Sequence, residues 1–165
     1  MELIVTVAIM GVLSVGIVTM ILSSSSYRCK QAAQELSTAL QTTKSDALAK
    51  AESYLTLKVD DGSVKMETDA QTITFGKNVE VYYTTSNSTA EQKVTSGTPV
   101  ILTYARGSGS FKAMQYVDAS GKYQSKMDGS NYVYCKTLCI RGKGSTKGYT
   151  ITLYQETGKF ECKKD

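Results

Sequence analysis

Leu3–Leu22 reads LIVTVAIMGVLSVGIVTMIL, twenty residues without a charge, and the expected fold of the whole chain turns on it. At about 1.5 Å per residue a helix of this length covers about 30 Å, the thickness of a bilayer's hydrocarbon core. The stretch is too long for an ordinary cleaved signal peptide, no basic region precedes it and no small-residue cleavage site follows its apolar core. Glu2 stands at its edge, where an ionisable group is costly in lipid and is a functional candidate by default. Gly11 and Gly16 lower helix propensity within it. Ser23–Ser26 mark the exit, and Tyr27 and Arg28 suit the interface. Segment 1–26 is therefore read as a transmembrane helix and its exit.

Beyond the exit the periodicity changes. Ala32, Ala33, Leu36, Ala39, Leu40, Thr43, Ala47, Leu48 and Ala51 recur at three- and four-residue steps, with Gln31, Gln34, Glu35, Thr38, Gln41, Lys44 and Lys50 between them. That is an amphipathic helix with a narrow stripe of small residues, suited to lying on a sheet. No proline or glycine interrupts Tyr27–Glu52, so segment 27–52 continues the first, and one helix of roughly 75 Å is expected over Leu3–Glu52.

Segment 53–165 reads as a β-rich domain. Leu55, Leu57 and Val59 alternate with Tyr54, Thr56 and Lys58, and Asp60-Asp61-Gly62 turns the chain into Val64–Glu67. Further strands are expected at Thr72–Phe75, Val79–Thr84, Val100–Tyr104, Phe111–Val117, Tyr132–Ile140, Tyr149–Tyr154 and Lys159–Cys162. Ser86–Gly97, Asp118–Asn131 and Arg141–Gly148 read as polar, glycine-bearing loops. The expected class is α+β, a long helix packed on an antiparallel sheet.

Composition narrows the function classes. The chain has no histidine, which removes Ser-His-Asp and Cys-His catalysis and imidazole metal ligation. No enzymatic constellation, cofactor or metal site is expected. The net charge of +4 is no nucleic-acid signature, and DNA binding is unsupported. Arg141–Lys147, Lys163 and Lys164 read as solvated surface. Cys29, Cys135, Cys139 and Cys162 are candidate disulfide partners with three complete pairings. In one extended strand Cys135 and Cys139 stand about 13 Å apart, beyond disulfide reach, so bonding them needs a turn at Lys136–Leu138. Buried free thiols are the alternative; a four-thiolate zinc site lacks the paired short spacings.

Met1–Leu13, MELIVTVAIMGVL, resembles the interior of the N-terminal methylation motif of type IV prepilins and type II secretion pseudopilins. In that family a basic leader ends in a glycine, a prepilin peptidase cuts after it, and the new N-terminus is methylated. Glu2 falls on the family's glutamate and Gly11 on its helix glycine, so the peptidase site is expected upstream of Met1. That missing leader also resolves the topology, because Arg28 and Lys30 alone would hold the C-terminal domain in the cytoplasm. Thr19 departs from the pattern, standing near where major pilins often carry a helix-breaking proline. Leu36–Val59, Leu102–Met114 and Tyr149–Cys162, with a turn at Thr157-Gly158, resemble H-type minor pseudopilins and FimT-like fimbrial proteins.

The resemblance implies a structural subunit of a type IV pilus-like or type II secretion-like filament. Its partners would be other pilin or pseudopilin subunits, membrane lipid, an inner-membrane assembly platform with its ATPase, and the prepilin peptidase. It implies a single-pass membrane protein with its C-terminal domain outside the cytoplasm, reaching the cell surface or filament on assembly. Glu2 would set axial register by pairing with a neighbour's terminal ammonium, since a carboxylate in an apolar core must find a positive partner or a proton. The helix from Leu3 through Gly11 and Gly16 to Leu22 would carry the packing. Two alternatives remain open: a major pilin of a surface fibre, and a membrane-tethered ligand- or DNA-binding module.

Overall fold

The small-residue stripe organises the molecule. The computed structural model describes residues 2–49 and 52–165, with side chains from Ser26 onward. Helix α1 is assigned over Glu2–Ala49. Cys29, Ala32, Ala33, Leu36, Ala39, Leu40, Thr43 and Ala47 are all buried on one side of it, while Gln31, Gln34, Thr38, Gln41 and Ser45 face solvent. The small side chains let the helix axis approach a sheet closely. Leu36 and Leu40 are both fully buried, which is worth about 1.5–3 kcal/mol each.

Thirteen strands follow: β1 (Tyr54–Asp60), β2 (Ser63–Thr68), β3 (Thr72–Thr74), β4 (Val79–Thr85), β5 (Ser88–Lys93), β6 (Val100–Thr103), β7 (Gln115–Val117), β8 (Tyr123–Ser125), β9 (Met127–Asp128), β10 (Asn131–Tyr132), β11 (Cys135–Gly142), β12 (Gly148–Tyr154) and β13 (Lys159–Lys164). They form a six-stranded sheet in the order β3-β2-β1-β6-β7-β8, a five-stranded sheet in the order β13-β12-β11-β4-β5, and the small β9–β10 ribbon. Every pairing is antiparallel.

Register explains why both sheets face one core. In the first, Leu55 opposes Leu102, and Leu57 opposes both Val100 and Met66. In the second, Leu138 lies between Tyr83 and Ile151, and Ile140 opposes Val81. These residues join the helical stripe in one continuous cluster. The helix packs chiefly on β11 and β12 and also reaches β1, β2, β4, β6 and β13. The expected turn after β1 is present, passing through Asp61 and Gly62 with φ of 49° and 70°, the two-residue hairpin geometry that suits strand twist.

The expected α+β class, a long helix half in the membrane and half on one antiparallel sheet, is corrected. Of the residues described with side chains, 48% lie in strands and 17% in a helix, and the strands make two main sheets rather than one. Among the residues described with side chains, no helix is long and apolar enough to cross a membrane. The expected spanning segment Leu3–Leu22 lies outside the residues described with side chains. The extra β content comes from polar stretches read as loops. Ser86–Gly97 contains β5, and Asp118–Asn131 contains β8 and β9. These strands are mostly solvent-facing and carry no apolar alternation, so their pairing is decided by neighbouring strands rather than by their own pattern. Conversely, Phe111 makes only an isolated bridge to Tyr104, so the expected strand Phe111–Val117 shrinks to β7.

Candidate functional site

Four segments meet at the end of the domain where the part of α1 described with side chains begins. Ser26 and Cys29 come from α1, residues 142–149 from the β11–β12 turn and the start of β12, and Lys164 from the end of β13. Together they enclose a cleft of about 460 Å³. The β3–β4 connection closes in beside them. A Cβ placed on Gly76 would stand 3.4 Å from Arg28 Cδ, and the carbonyl of Asn78 accepts the Lys143 amide at 2.8 Å.

The turn is held by local bonds. Ser145 N donates to Gly142 O at 2.8 Å, and Lys147 N donates to Ser145 Oγ, which donates to Lys147 O, both at 3.1 Å. Gly148 closes it where no side chain fits, because a Cβ there would lie 2.1 Å from Ile140 O. The strand edge is fixed by Asp165 N donating to Gly148 O at 3.0 Å.

The site is cationic. Arg28, Lys77, Lys143, Lys147 and Lys164 are all exposed. Glu80 and Asp165 lie in the same sheet, and both are engaged. Glu80 takes Lys93 Nζ at 2.7 Å and the Tyr82 hydroxyl at 2.9 Å. The Lys93 bond holds its carboxyl below the usual glutamate range against partial desolvation. Asp165 Oδ1 accepts from Thr150 Oγ1 at 2.7 Å. Sequence reading assigned Lys143, Lys147 and Lys164 to solvated surface and missed their convergence on one cleft. The one signal available was Arg28 and Lys30 directly after the apolar run.

At the opposite end, Lys44 Nζ donates to the carbonyls of Thr157 and Gly158 at 3.0 and 3.1 Å, tying α1 to the β12–β13 turn. Clefts of about 450 and 430 Å³ lie there, lined by Phe111, Tyr132, Tyr134, Gln155 and Glu156 among others. Cys135 borders one of them, but burial pushes its thiol far up, so it stays protonated and is no nucleophile. Among the described residues no group of three or more Cys, Asp or Glu side chains is placed to hold a metal.

Of the two readings open for the cysteines, disulfide partners or free thiols, the structure has all four free. Cys135 and Cys139 share β11 with no turn between them, and a register shift between Cys135 and Thr137 changes the parity of the strand. Cys135 joins Leu138 and Ile140 in the core. Cys139 lies on the other face, where Thr150 Oγ1 reaches its Sγ at 3.5 Å. Cys29 is buried on α1. Cys162 lies beside Ser37, eight residues and about 12 Å further along the helix than Cys29. No pair is placed for bonding. Glu2, Leu3, Gly11, Gly16 and Leu22, the expected assembly residues, lie outside the residues described with side chains.

No family model matches the chain, and neither the curated proteins nor the solved structures contain a significant match to it.

Proposed function

We propose that this chain is a structural subunit, of the minor pilin or pseudopilin kind, of a type IV pilus-like or type II secretion-like filament. The observation that carries the reading is Glu2 at the edge of the charge-free run Leu3–Leu22. A plain anchor accounts for the apolar run but leaves the acid unexplained. The β domain supports it by offering helix docking and surface rather than a reaction centre. The buried stripe of α1 is committed to the sheets, and its outer face carries Gln31, Gln34, Thr38 and Gln41.

In this reading the subunit waits in the membrane with its β domain outside the cytoplasm. An assembly platform driven by an ATPase moves it into a filament whose apolar segments bundle. Lipid contacts are exchanged for contacts between subunits, so the transfer changes hydrophobic energy little. Glu2 then gains the positive partner that its charge needs in an apolar core. A prepilin peptidase acting upstream of Met1 supplies that partner as a new terminal ammonium.

The test is Glu2→Ala, followed by fractionation of sheared filaments and membranes. The variant should remain in the membrane and disappear from filaments, while wild type appears in both. Normal incorporation of Glu2→Ala would overturn the role assigned to the glutamate.

A further inference from the structure

The cations at the helix-proximal end are set apart by sharing one cleft, lined by Lys143, Lys147 and Lys164. Lys58, Lys65, Lys93, Arg141 and Lys163 each pair with a carboxylate. Arg28, Lys77, Lys143, Lys147 and Lys164 have no ion-pair partner among the described residues. They arrive from four separate segments, and the contacts that join them are fixed in the fold. Arg28 lies along Gly76, Asn78 holds the Lys143 amide, and Lys143, Lys147 and Lys164 line one cleft with Ser26 and Cys29.

Unpaired ammonium groups converging on one cleft suit a compact anion with several acceptor oxygens, and phosphate is the common one. The position says where that phosphate would come from. Ser26 and Cys29 follow Leu22 by four and seven residues, about 6 and 10 Å along a helix. With Leu3–Leu22 in the hydrocarbon, that distance is the headgroup layer. We infer that this cleft binds the phosphate of anionic phospholipid headgroups and seats the β domain on the membrane surface. The inference rests on the membrane placement in the proposed function, and not on filament assembly.

The experiment uses the full chain in neutral maltoside micelles. Dioctanoyl phosphatidylglycerol, dioctanoyl phosphatidylcholine and inorganic phosphate are titrated separately, and the amide resonances of residues 142–148 are followed. One variant carries Lys143→Gln, Lys147→Gln and Lys164→Gln. A charge-matched control carries Lys122→Gln, Lys126→Gln and Lys136→Gln, all exposed and none lining the cleft.

Wild type and control should bind phosphatidylglycerol at least about tenfold more tightly than phosphatidylcholine. Each cation near an anionic surface contributes roughly fivefold, so the cleft variant should lose on the order of a hundredfold. If that variant melts early, Lys147→Gln alone replaces it, with about a fivefold loss expected. No preference for the anionic lipid, or equal losses in both triple variants, would overturn the inference. Inorganic phosphate binding as tightly as phosphatidylglycerol would overturn the lipid source and leave a free-phosphate site. Glu2→Ala should bind lipid as wild type does, so failure of the filament reading and failure of this one are told apart.

Discussion

Replacing Gly158 by alanine would place a methyl group where the β12–β13 turn has no room. Gly158 has φ of 58°, a left-handed conformation that costs an alanine about 1 kcal/mol. The added Cβ would also stand 1.7 Å from Gly109 O, with the Tyr104 ring at 3.2 Å. The nearest obstacle is backbone, which no rotamer change relieves, so the turn and the loop at Gly109 must part by about 1 Å or more. That movement strains the Lys44 bonds to Thr157 O and Gly158 O, the Phe111 N to Gln155 O bond, and the Tyr104–Phe111 ring contact at 4.3 Å. Losing one or two of these at about 1 kcal/mol each brings the total to about 3 kcal/mol. In a domain of this size that lowers Tm by roughly 6–12 °C. Gly121→Ala is the control. Its φ is 80° with nothing within 4 Å of the added carbon, so it carries the backbone cost alone, about 1 kcal/mol. Thermal and urea unfolding of the full chain in micelles, followed by circular dichroism, measures both. Equal losses in the two variants, within about 0.5 kcal/mol, would refute the close packing of turn and loop.

Two further predictions follow from the cysteines and from the outer face of the five-stranded sheet. A thiol reagent should modify Cys162 in the native chain and all four cysteines after denaturation, read by intact mass. Cys162 is the exposed one, and burial still holds its thiol above the ordinary value, so its reaction should accelerate as pH rises through 9; a native disulfide would contradict the geometry. Arg141 donates to both Glu91 oxygens at 2.6 and 2.7 Å, which holds the Glu91 carboxyl below its usual value of 4.5. That stabilisation is complete above the unfolded pKa and is lost as pH falls through the folded one. Glu91→Gln should therefore lower stability at pH 7 but not at pH 2, by less than about 1 kcal/mol, since the pair is partly exposed and screened.

Local pattern was enough to mark the helical stripe, the Asp61-Gly62 turn and most of the strands with a buried face, because each is encoded within a few residues. The stripe from Ala32 to Ala47 follows the helical period, and Leu55 and Leu57 follow the strand period. The apolar run and its bordering Glu2 are also properties of sequence alone, and they carry the functional reading. What only the tertiary structure decided depends on residues far apart in the chain. β5, β8 and β9 exist because neighbouring strands offer unpaired amides and carbonyls, and no apolar alternation announces them. One extra residue in β11 turns Cys135 inward and leaves Cys139 outward, a parity change that spacing cannot reveal. Arg28, Lys77, Lys143, Lys147 and Lys164 look like scattered surface charges in sequence. They come together only when a helix, a loop, a turn and a last strand end at the same place.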